Sequence, residues 1–299
     1  MNDMLLTKRK IKFHIFRSTN AARKRRSSYG NILLLVFLIV SSVFMVFPLV
    51  YTISNSFKPL SELFVFPPQF FVRNPTLQNF LDLANVIANF WVPFSRYVFN
   101  TFFITIAGTV GHIFVASHAA YALANNKFAG SRLIFRIIVL SLMFSAAVTA
   151  VPNYLVLSRL GWIDTHMAVI VPAFSSSLGL YLLKQFMEGV PDSLIDSARI
   201  DGANEFNVLW KIVMPVVKPA WLTLVILTVQ SLWNVNSGYI YSEQLKTLAA
   251  ALNQIAVGGI GRAGTASAAA VIMMIVPITV FILTQSNVIE TMSTSGMKE

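Results

Sequence analysis

Long apolar runs separated by shorter polar segments dominate the sequence. A helix needs about 20 mostly apolar residues to cross the hydrocarbon core of a bilayer, and six runs approach or exceed that length. They lie at roughly 31–55, 97–124, 133–158, 166–187, 219–238 and 266–288. Prolines inside four of them (Pro48, Pro152, Pro172 and Pro277) predict kinks, which neighbouring membrane helices tolerate. We therefore expect an all-α membrane protein with six transmembrane helices.

The composition agrees with an apolar solvent. Hydrophobic residues make up 56% of the 299 residues and charged residues only 12%, with a mean hydropathy of +0.67. A soluble domain is about one quarter charged, because its surface faces water. The chain contains no cysteine, which excludes disulfides, thiolate metal sites and cysteine nucleophiles.

The positive charges predict the orientation in the membrane. Nine of the 23 Lys and Arg residues precede residue 30, and 17 of them fall on the side of the N-terminus when the six runs alternate. An excess of positive charge marks the cytoplasmic side, so both termini are expected in the cytoplasm. The basic start could instead bind RNA, but no folded basic domain follows it, and no nucleic-acid partner is expected.

This pattern divides the chain into three parts. We expect a basic cytoplasmic arm at 1–30, a transmembrane domain at 31–288 and a cytoplasmic tail at 289–299. The first apolar run is too long for the apolar core of a signal peptide and is expected to remain as a span. Two connections, an outer loop at 56–96 and an inner loop at 188–218, exceed the usual length and should contain structure of their own.

The inner loop predicts two short helices with a sharp break. Pro191 suits a helix start, Gly202 ends the first helix, Asn204 caps a second, and Pro215 interrupts it before the fifth span. The second helix has apolar residues at helical spacing: Phe206, Leu209, Trp210 and Val213. A helix that lies on the membrane surface would prefer Lys and Arg on its polar face. This loop carries five acids, which favours docking to a protein partner.

Two stretches of this loop resemble a known family. They are Asp196-Ser197-Ala198-Arg199-Ile200-Asp201-Gly202-Ala203 and Ile212-Val213-Met214-Pro215. Together they resemble the "EAA" loop of bacterial ABC importer permeases, with Asp196, Ser197 and Met214 in place of Glu, Ala and Leu. Further segments resemble the carbohydrate-uptake permeases of that family: Ser56-Phe57-Lys58-Pro59, Phe66-Pro67-Pro68, the run from Pro75 to Phe80, Asn100-Thr101, and the run from Ala119 to Ala124.

The resemblance implies a fold, a function and partners. It implies the MetI-like permease fold and a non-catalytic subunit in the bacterial cytoplasmic membrane that imports a sugar or oligosaccharide. The implied partners are a second permease, two ATPase subunits that bind ATP and Mg, and an extracellular solute-binding protein, with no cofactor on this chain. The inner loop becomes a coupling loop that contacts the ATPase through Leu194, Asp196, Ser197, Ala198, Arg199, Asp201, Gly202, Ala203 and Phe206. Among these, Leu194, Ala198 and Phe206 are expected in an ATPase groove, and Asp196 or Asp201 opposite a basic partner residue.

Candidates for sugar contact are the aromatic and amide side chains near the outer halves of two spans. They are Asn153 and Tyr154 in the third span, and Trp233, Asn234 and Asn236 at the end of the fifth. Such polar groups can also simply hold helices together. The segment 239–264 either reaches into the binding protein, as the family likeness implies, or is a flexible connection. His112 and His118 lack an acid for a proton relay and are interpreted as packed or pore-lining.

Two other functions remain open on the sequence alone. A secondary transporter or channel would work without an ATPase, but inverted repeats and acids inside the spans, which would support it, are not apparent. A membrane enzyme would need a catalytic motif, and neither His-Glu-x-x-His nor Gly-x-Ser-x-Gly occurs.

Overall fold

The computed structural model describes residues 28–126, 128–257 and 259–295, and within these ranges every regular element is a helix. A π-helical stretch at Val208–Val213 and 3-10 turns at Glu243–Leu245 and Ile260–Arg262 accompany the α-helices. The α-helices are α1 (Ser28–Ser56), α2 (Leu60–Leu63), α3 (Gln78–Ala88), α4 (Phe94–Asn125), α5 (Ser131–Ser141), α6 (Ala146–Arg159), α7 (Met167–Phe174), α8 (Ser177–Met187), α9 (Asp192–Ile200), α10 (Glu205–Asn207), α11 (Met214–Val216), α12 (Lys218–Trp233), α13 (Leu248–Val257) and α14 (Ala263–Ser295).

The chain divides into two units after Val50. In the first unit, residues 28–50 form most of α1, and nearly all of the side chains described there are apolar and exposed. A helix that is hydrophobic all round suits a lipid environment. The predicted basic arm at 1–30 lies almost wholly outside the described residues, as does the end of the predicted tail at 296–299. Both assignments stay predictions.

Four helical segments in the described chain are long and apolar enough to cross a membrane. They are Ile32–Ser56, Phe94–Asn125, Met167–Met187 and Ala263–Gln285, the third being interrupted between α7 and α8. Two further pairs qualify only if each bent pair is one span: α5 with α6, bent by 113°, and Glu205–Val216 with α12, bent by 84°. The prediction of an all-α membrane protein is confirmed, and six spans result when each bent pair counts once.

The third predicted span is not one continuous helix, and in this respect the prediction was wrong. The chain breaks between α5 and α6, where Ser145 adopts an extended conformation. The carbonyl of Ser145 accepts hydrogen bonds from the backbone N–H groups of Val148 and Thr149, which begins α6. Residues 142–145 contain no Gly or Pro and are mostly apolar, so hydropathy gave no sign of the break.

The fifth predicted span was too long. Helix α12 ends at Trp233, and residues 234–238 are not helical. At its other end the break falls at Val217 rather than at Pro215, with Pro219 in the first turn of α12. The connection 239–264 is not a bare loop, because it contains the ten-residue helix α13.

Helix α4 packs against α7, α8 and α12 at the centre of the second unit, residues 51–299. A Cβ at Gly108 would lie 2.4 Å from the Leu232 side chain, and one at Gly111 2.1 Å from Phe174. Small residues at these positions allow the close helix approach that membrane bundles use. His112 is buried here, with Nδ1 2.9 Å from Thr228 Oγ1, so its interpretation as a packed histidine is confirmed.

The 32 residues of α4 extend about 48 Å, enough to join the two faces of a bilayer. Near its start, Asn100 donates to the carbonyls of Gln244 and Lys246. Near its end, the Tyr121 hydroxyl donates to Glu205. The coupling loop therefore lies at one end of the bundle, the coupling end, and the segments around 56–90 and 234–262 lie at the opposite end.

Candidate functional site

The coupling loop, residues 188–218, folds as the predicted helix–glycine–helix. Helix α9 begins directly after Pro191 and ends at Ile200, and Gly202, two residues later, has φ +81°. The backbone N–H of Gly202 donates to the Arg199 carbonyl, and that of Ala203 donates to the Ala198 carbonyl. A left-handed residue with these bonds is the usual way to end a helix. A Cβ at Gly202 would meet nothing within 4 Å, so the need for glycine comes from the backbone angle alone.

The second helix starts at the predicted cap. The side-chain oxygen of Asn204 accepts from the backbone N–H of Asn207 at 2.8 Å. Beyond this cap, residues 208–213 are π-helical, a form that occurs often at functional sites.

One face of the coupling loop is buried in the bundle. Ile195 and Ala198 of α9 lie in one apolar cluster with Val208, Leu209 and Val213, and this cluster includes Ala116 and Ala120 of α4. Ala198 is only 7% exposed. The expectation that Ala198 enters an ATPase groove was therefore wrong, because its side chain packs within this chain.

The other face presents apolar side chains among acids. Leu194 is 45% exposed, Phe206 56% and Ile200 86%. The carboxylates of α9 and the following turn, Asp192, Asp196 and Asp201, are exposed as well. Exposed apolar groups with a polar rim are typical of a protein contact. Ile200 was not among the residues expected from the sequence to contact the ATPase.

A network of three residues, the Glu205 brace, joins the two helices and links them to α4. Arg199 donates from Nε to Glu205 Oε1 at 2.9 Å and from Nη2 to Oε2 at 3.3 Å. The Tyr121 hydroxyl donates to Glu205 Oε2 at 2.6 Å. The hydrogen bond from Arg199 lowers the pKa of Glu205 below its ordinary value, and the bond from Tyr121 adds to this shift. The Arg199 pKa is raised, first by its hydrogen bond to Glu205.

Sequence reasoning missed this brace. Arg199 and Glu205 stand six residues apart on opposite sides of the Gly202 turn, and helical periodicity pairs residues three or four apart. Asp196 lies within 3.4 Å of Arg199, a weaker contact between exposed groups. The charge left for a partner is thus chiefly on Asp192 and Asp201, which form no ion pair with the described residues, and in part on Asp196.

Residues 112–293 match the family described as the binding-protein-dependent transport system inner membrane component, which covers more than half of the chain. The chain belongs to this family. The predicted recognition of an importer permease is confirmed.

Three relatives of this inner membrane component come from two bacterial species. Protein LplC of Bacillus subtilis is 32% identical over 195 residues, 63% of this chain and 62% of that protein, which is less than two thirds of its length. The arabinooligosaccharides transport system permease protein AraQ of Bacillus subtilis is 30% identical over 207 residues, 69% of this chain and 73% of AraQ. The sn-glycerol-3-phosphate transport system permease protein UgpE of Yersinia enterocolitica is 30% identical, covering 67% of this chain and 71% of UgpE.

Solved structures share the fold of the component. A bacterial ABC transporter involved in the import of the acidic polysaccharide alginate aligns with a TM-score of 0.72 and 21% identity, over 88% of this chain and 97% of that one. The alginate transporter in complex with an alginate pentasaccharide-bound periplasmic protein aligns with a TM-score of 0.59 and 15% identity, over 87% and 93%. The predicted permease fold is confirmed.

The remaining predicted coupling residues of the component have local roles. The Ser197 hydroxyl donates to the Ser193 carbonyl at 2.7 Å, within α9. Ala203 is half-buried and packs on the apolar cluster beneath the loop.

The predicted sugar contacts lie in different environments. Trp233 is buried, and its indole N–H donates to the Met273 carbonyl at 2.9 Å, which ties α12 to α14. Asn153, Tyr154, Asn234 and Asn236 are exposed. The structure brings Tyr154 near Tyr239, with ring centroids 6.3 Å apart.

An aspartate at the opposite end of the component ties two distant segments together. Asp164 accepts from the backbone N–H groups of Tyr241 and Ser242, both at 2.8 Å, and from the Ser242 hydroxyl. Its own N–H donates to the Tyr239 carbonyl, and its φ of +60° is unusual for a residue other than glycine. The Ser242 hydroxyl is the main cause that lowers the Asp164 pKa. We call Asp164 with residues 239–242 the Asp164 clamp, which sequence reasoning missed.

Two family-like motifs find a structural explanation at the same end. Asn100 and Thr101 hold the segment before α13: the Asn100 amide binds two carbonyls, and the Thr101 hydroxyl accepts from the Leu248 N–H at 2.7 Å. Lys58 is buried, and its ammonium donates to Asn55 at 2.8 Å and to the Gln69 carbonyl. Both motifs thus hold connections of the opposite end in place.

Proposed function

We propose that this inner membrane component is a permease subunit of an ATP-driven importer for a sugar or oligosaccharide. The support for the substrate class is the relatives, among them the arabinooligosaccharide permease AraQ and the polygalacturonan/rhamnogalacturonan permease YtcP of Bacillus subtilis. The sn-glycerol-3-phosphate relative supports a second candidate, a small phosphorylated polyol.

The observation that carries the proposal is the exposed face of the coupling loop. Leu194, Ile200 and Phe206 offer apolar area to an ATPase subunit, with acids beside them for basic partner residues. A loop that lies on lipid would instead carry Lys and Arg on its polar face. Of the acids, Asp201 and Asp196 are proposed to pair with the ATPase.

Motion of the docked ATPase reaches the membrane through the buried face of the same loop. Ile195 and Ala198 pack in the cluster that α4 shares, and the Glu205 brace adds a direct bond from the loop to Tyr121. Because protein interiors are densely packed, a displacement of α9 moves its neighbours instead of compressing them. The Gly202 turn fixes the angle between α9 and the following helix, so that the loop acts as one piece.

The complete importer is proposed to contain a second permease, two ATPase subunits and a solute-binding protein. ATP and Mg would bind to the ATPase subunits. The positive charge bias supports a cytoplasmic coupling end with both termini on that side of the bacterial cytoplasmic membrane. The binding protein would then face the opposite end, where Asn153, Tyr154, Asn234 and Asn236 are exposed candidates for contact with the sugar.

Co-purification with the partner subunits tests the proposal. We expect an affinity-tagged chain, expressed with the transport genes beside it, to retain an ATP-hydrolysing subunit in detergent. Proteoliposomes of the complex should take up a sugar only with ATP and the binding protein present. Uptake assays with oligosaccharides and with sn-glycerol-3-phosphate separate the two substrate classes. Transport by this chain alone, driven by an ion gradient, would refute the proposal in favour of a secondary transporter.

A further inference from the structure

A cavity of about 380 Å³ opens at the coupling end, between α4, the helices after Gly202 and the start of α12. Such a volume lies within the range of small-molecule sites. Its walls are mostly apolar, with one ammonium group. The lining residues are Ile113, Trp210, Met214, Pro215, Lys218 and Trp221. The mechanism described above uses none of the polar groups in this cavity.

The two indoles in the wall differ in their hydrogen bonds. The Trp221 N–H donates to the Met214 carbonyl at 3.1 Å. The Trp210 N–H is buried and has no partner among the described residues. Its ring is held by Phe114, 6.0 Å away and nearly parallel, and by Phe206 at 6.2 Å. Buried indole N–H groups normally find an acceptor, so this one predicts an acceptor from outside the chain.

Lys218 brings positive charge to the cavity. It is the first residue of α12, it is exposed, and it forms no ion pair with the residues that the structure describes. Lys211 stands nearby in sequence and is also exposed. A lysine at the end of a membrane span reaches toward the headgroups, where it attracts anionic lipid.

We propose that this cavity is a binding site for an anionic phospholipid. An acyl chain would lie against Ile113, Met214 and Trp221, while the phosphate or an ester carbonyl accepts from Trp210 and the headgroup charge pairs with Lys218. A free phosphate would leave the apolar walls uncovered, and a sugar would find only the Trp210 N–H and the Lys218 ammonium as polar partners among mostly apolar walls. A helix of a second permease could also cover the walls, and a cross-link from Ile113→Cys would distinguish it from a lipid.

A lipid in this position would act where the coupling loop joins the membrane. The chain bends by 84° between Glu205–Val216 and α12, and the cavity includes residues on both sides of the bend. A lipid bound there would stabilise that angle. This inference does not depend on which solute the permease transports, because lipid binding can be measured without any transport assay.

Native mass spectrometry of the delipidated complex, titrated with phosphatidylglycerol or phosphatidylcholine, tests the site. We expect preferential binding of phosphatidylglycerol and an affinity about tenfold weaker in Lys218→Gln, since this variant loses a charge-assisted contact. Trp210→Phe keeps the ring but removes the N–H, and should weaken binding about fivefold. The matched control is Lys211→Gln, a lysine of the same loop that does not line the cavity and should bind as the parent does.

Three outcomes would overturn the proposal. The first is equal binding of the two lipids, and the second is unchanged binding of phosphatidylglycerol in Lys218→Gln. Because Lys218 is exposed, this variant tests the site even if Trp210→Phe fails to assemble. The third is an efficient cross-link from Ile113→Cys, in a chain that has no other cysteine, to the second permease, which would show that protein fills the cavity.

Discussion

The two ends of the bundle are held together in different ways. At the coupling end, the polar contacts within the loop join residues three to six apart, and one further bond, from Tyr121 to Glu205, reaches α4. At the opposite end, the contacts join segments far apart in the chain: 77 and 78 residues in the Asp164 clamp, and 144 and 146 between Asn100 and its two carbonyls.

This difference indicates what each end can do. A locally closed unit such as the coupling loop keeps its shape when it shifts, so it can transmit a push from a partner. Segments drawn from several parts of the chain move relative to one another when the helices that carry them move. The opposite end is therefore expected to rearrange during transport, while the coupling loop moves as a rigid body.

The largest effect is expected from Gly202→Val, which should reduce uptake at least tenfold while the ATPase subunits still assemble. A non-glycine residue in the left-handed region costs about 1–2 kcal/mol, and more when β-branched. The change should therefore distort the angle between α9 and the second helix. Uptake in proteoliposomes and co-purification of the ATPase measure both quantities.

Gly130→Val is the matched control for this variant. Gly130 also has a positive φ, +94°, and a Cβ there meets nothing within 4 Å, but it lies outside the coupling loop. If both variants lose uptake equally, the loss is due to general backbone strain. That result would contradict a special role for Gly202.

The second largest effect is expected from Asp164→Ala, which removes the acceptor of three hydrogen bonds and places alanine at φ +60°. We expect amide hydrogen exchange over residues 239–245 to accelerate about tenfold, with exchange of the coupling loop unchanged. Asp82→Ala is the control, since that half-buried carboxylate accepts a bond from Gln78 on its own helix. Faster hydrogen exchange in the coupling loop as well as in residues 239–245 would contradict the independence of the two ends.

A smaller effect is expected from Tyr121→Phe. This variant removes one hydrogen bond, worth about 1 kcal/mol, but leaves the pair of Arg199 and Glu205 intact. Uptake per ATP hydrolysed should fall two- to fivefold because the loop loses its direct bond to α4. Tyr181→Phe is the control, since the Tyr181 ring stacks on Phe135. Unchanged coupling in Tyr121→Phe would show that the buried cluster alone transmits the motion.

The smallest effect concerns pH. Because the folded state lowers the pKa of Glu205, the brace adds stability that is fully present above the ordinary pKa of glutamate, about 4.3, and is lost as the pH falls through the lowered value. Exchange of the coupling loop should thus be insensitive to the protonation of Glu205 between pH 7 and 5. In Arg199→Gln, the stability contributed by Glu205 should be lost at a higher pH. If hydrogen exchange in this variant depends on pH as it does in the parent, the result argues against the brace.

The same contrast explains how far the sequence could predict the structure. The Gly202 turn and the Asn204 cap follow from neighbouring residues and were predicted correctly. The Asp164 clamp depends on segments 77 residues apart, which no local pattern joins. The break at Ser145 lacks any Gly or Pro, and apolar residues alone cannot show where a span bends. Helix α13 was missed because segment 239–264 was interpreted from its Gly and polar residues.

From the residue types, the chemistry of the coupling loop could be predicted better than its contacts could. An acidic, partly apolar loop was correctly identified, but Arg199 turned out to bind Glu205 of the same loop. Ala198 was assigned to the partner side although it is buried, because both faces of a short helix carry apolar residues and the sequence does not say which face meets the bundle.

Cross-linking from Ile200→Cys tests the central claim most directly, because this position is 86% exposed on the coupling loop and the chain has no other cysteine. In the assembled complex, we predict a cross-link from residue 200 to the ATPase subunit and no labelling by an impermeant maleimide added to intact cells. Trp91→Cys, at the opposite end, should be labelled from outside. Labelling of residue 200 from outside, without any cross-link to an ATPase, would contradict the account.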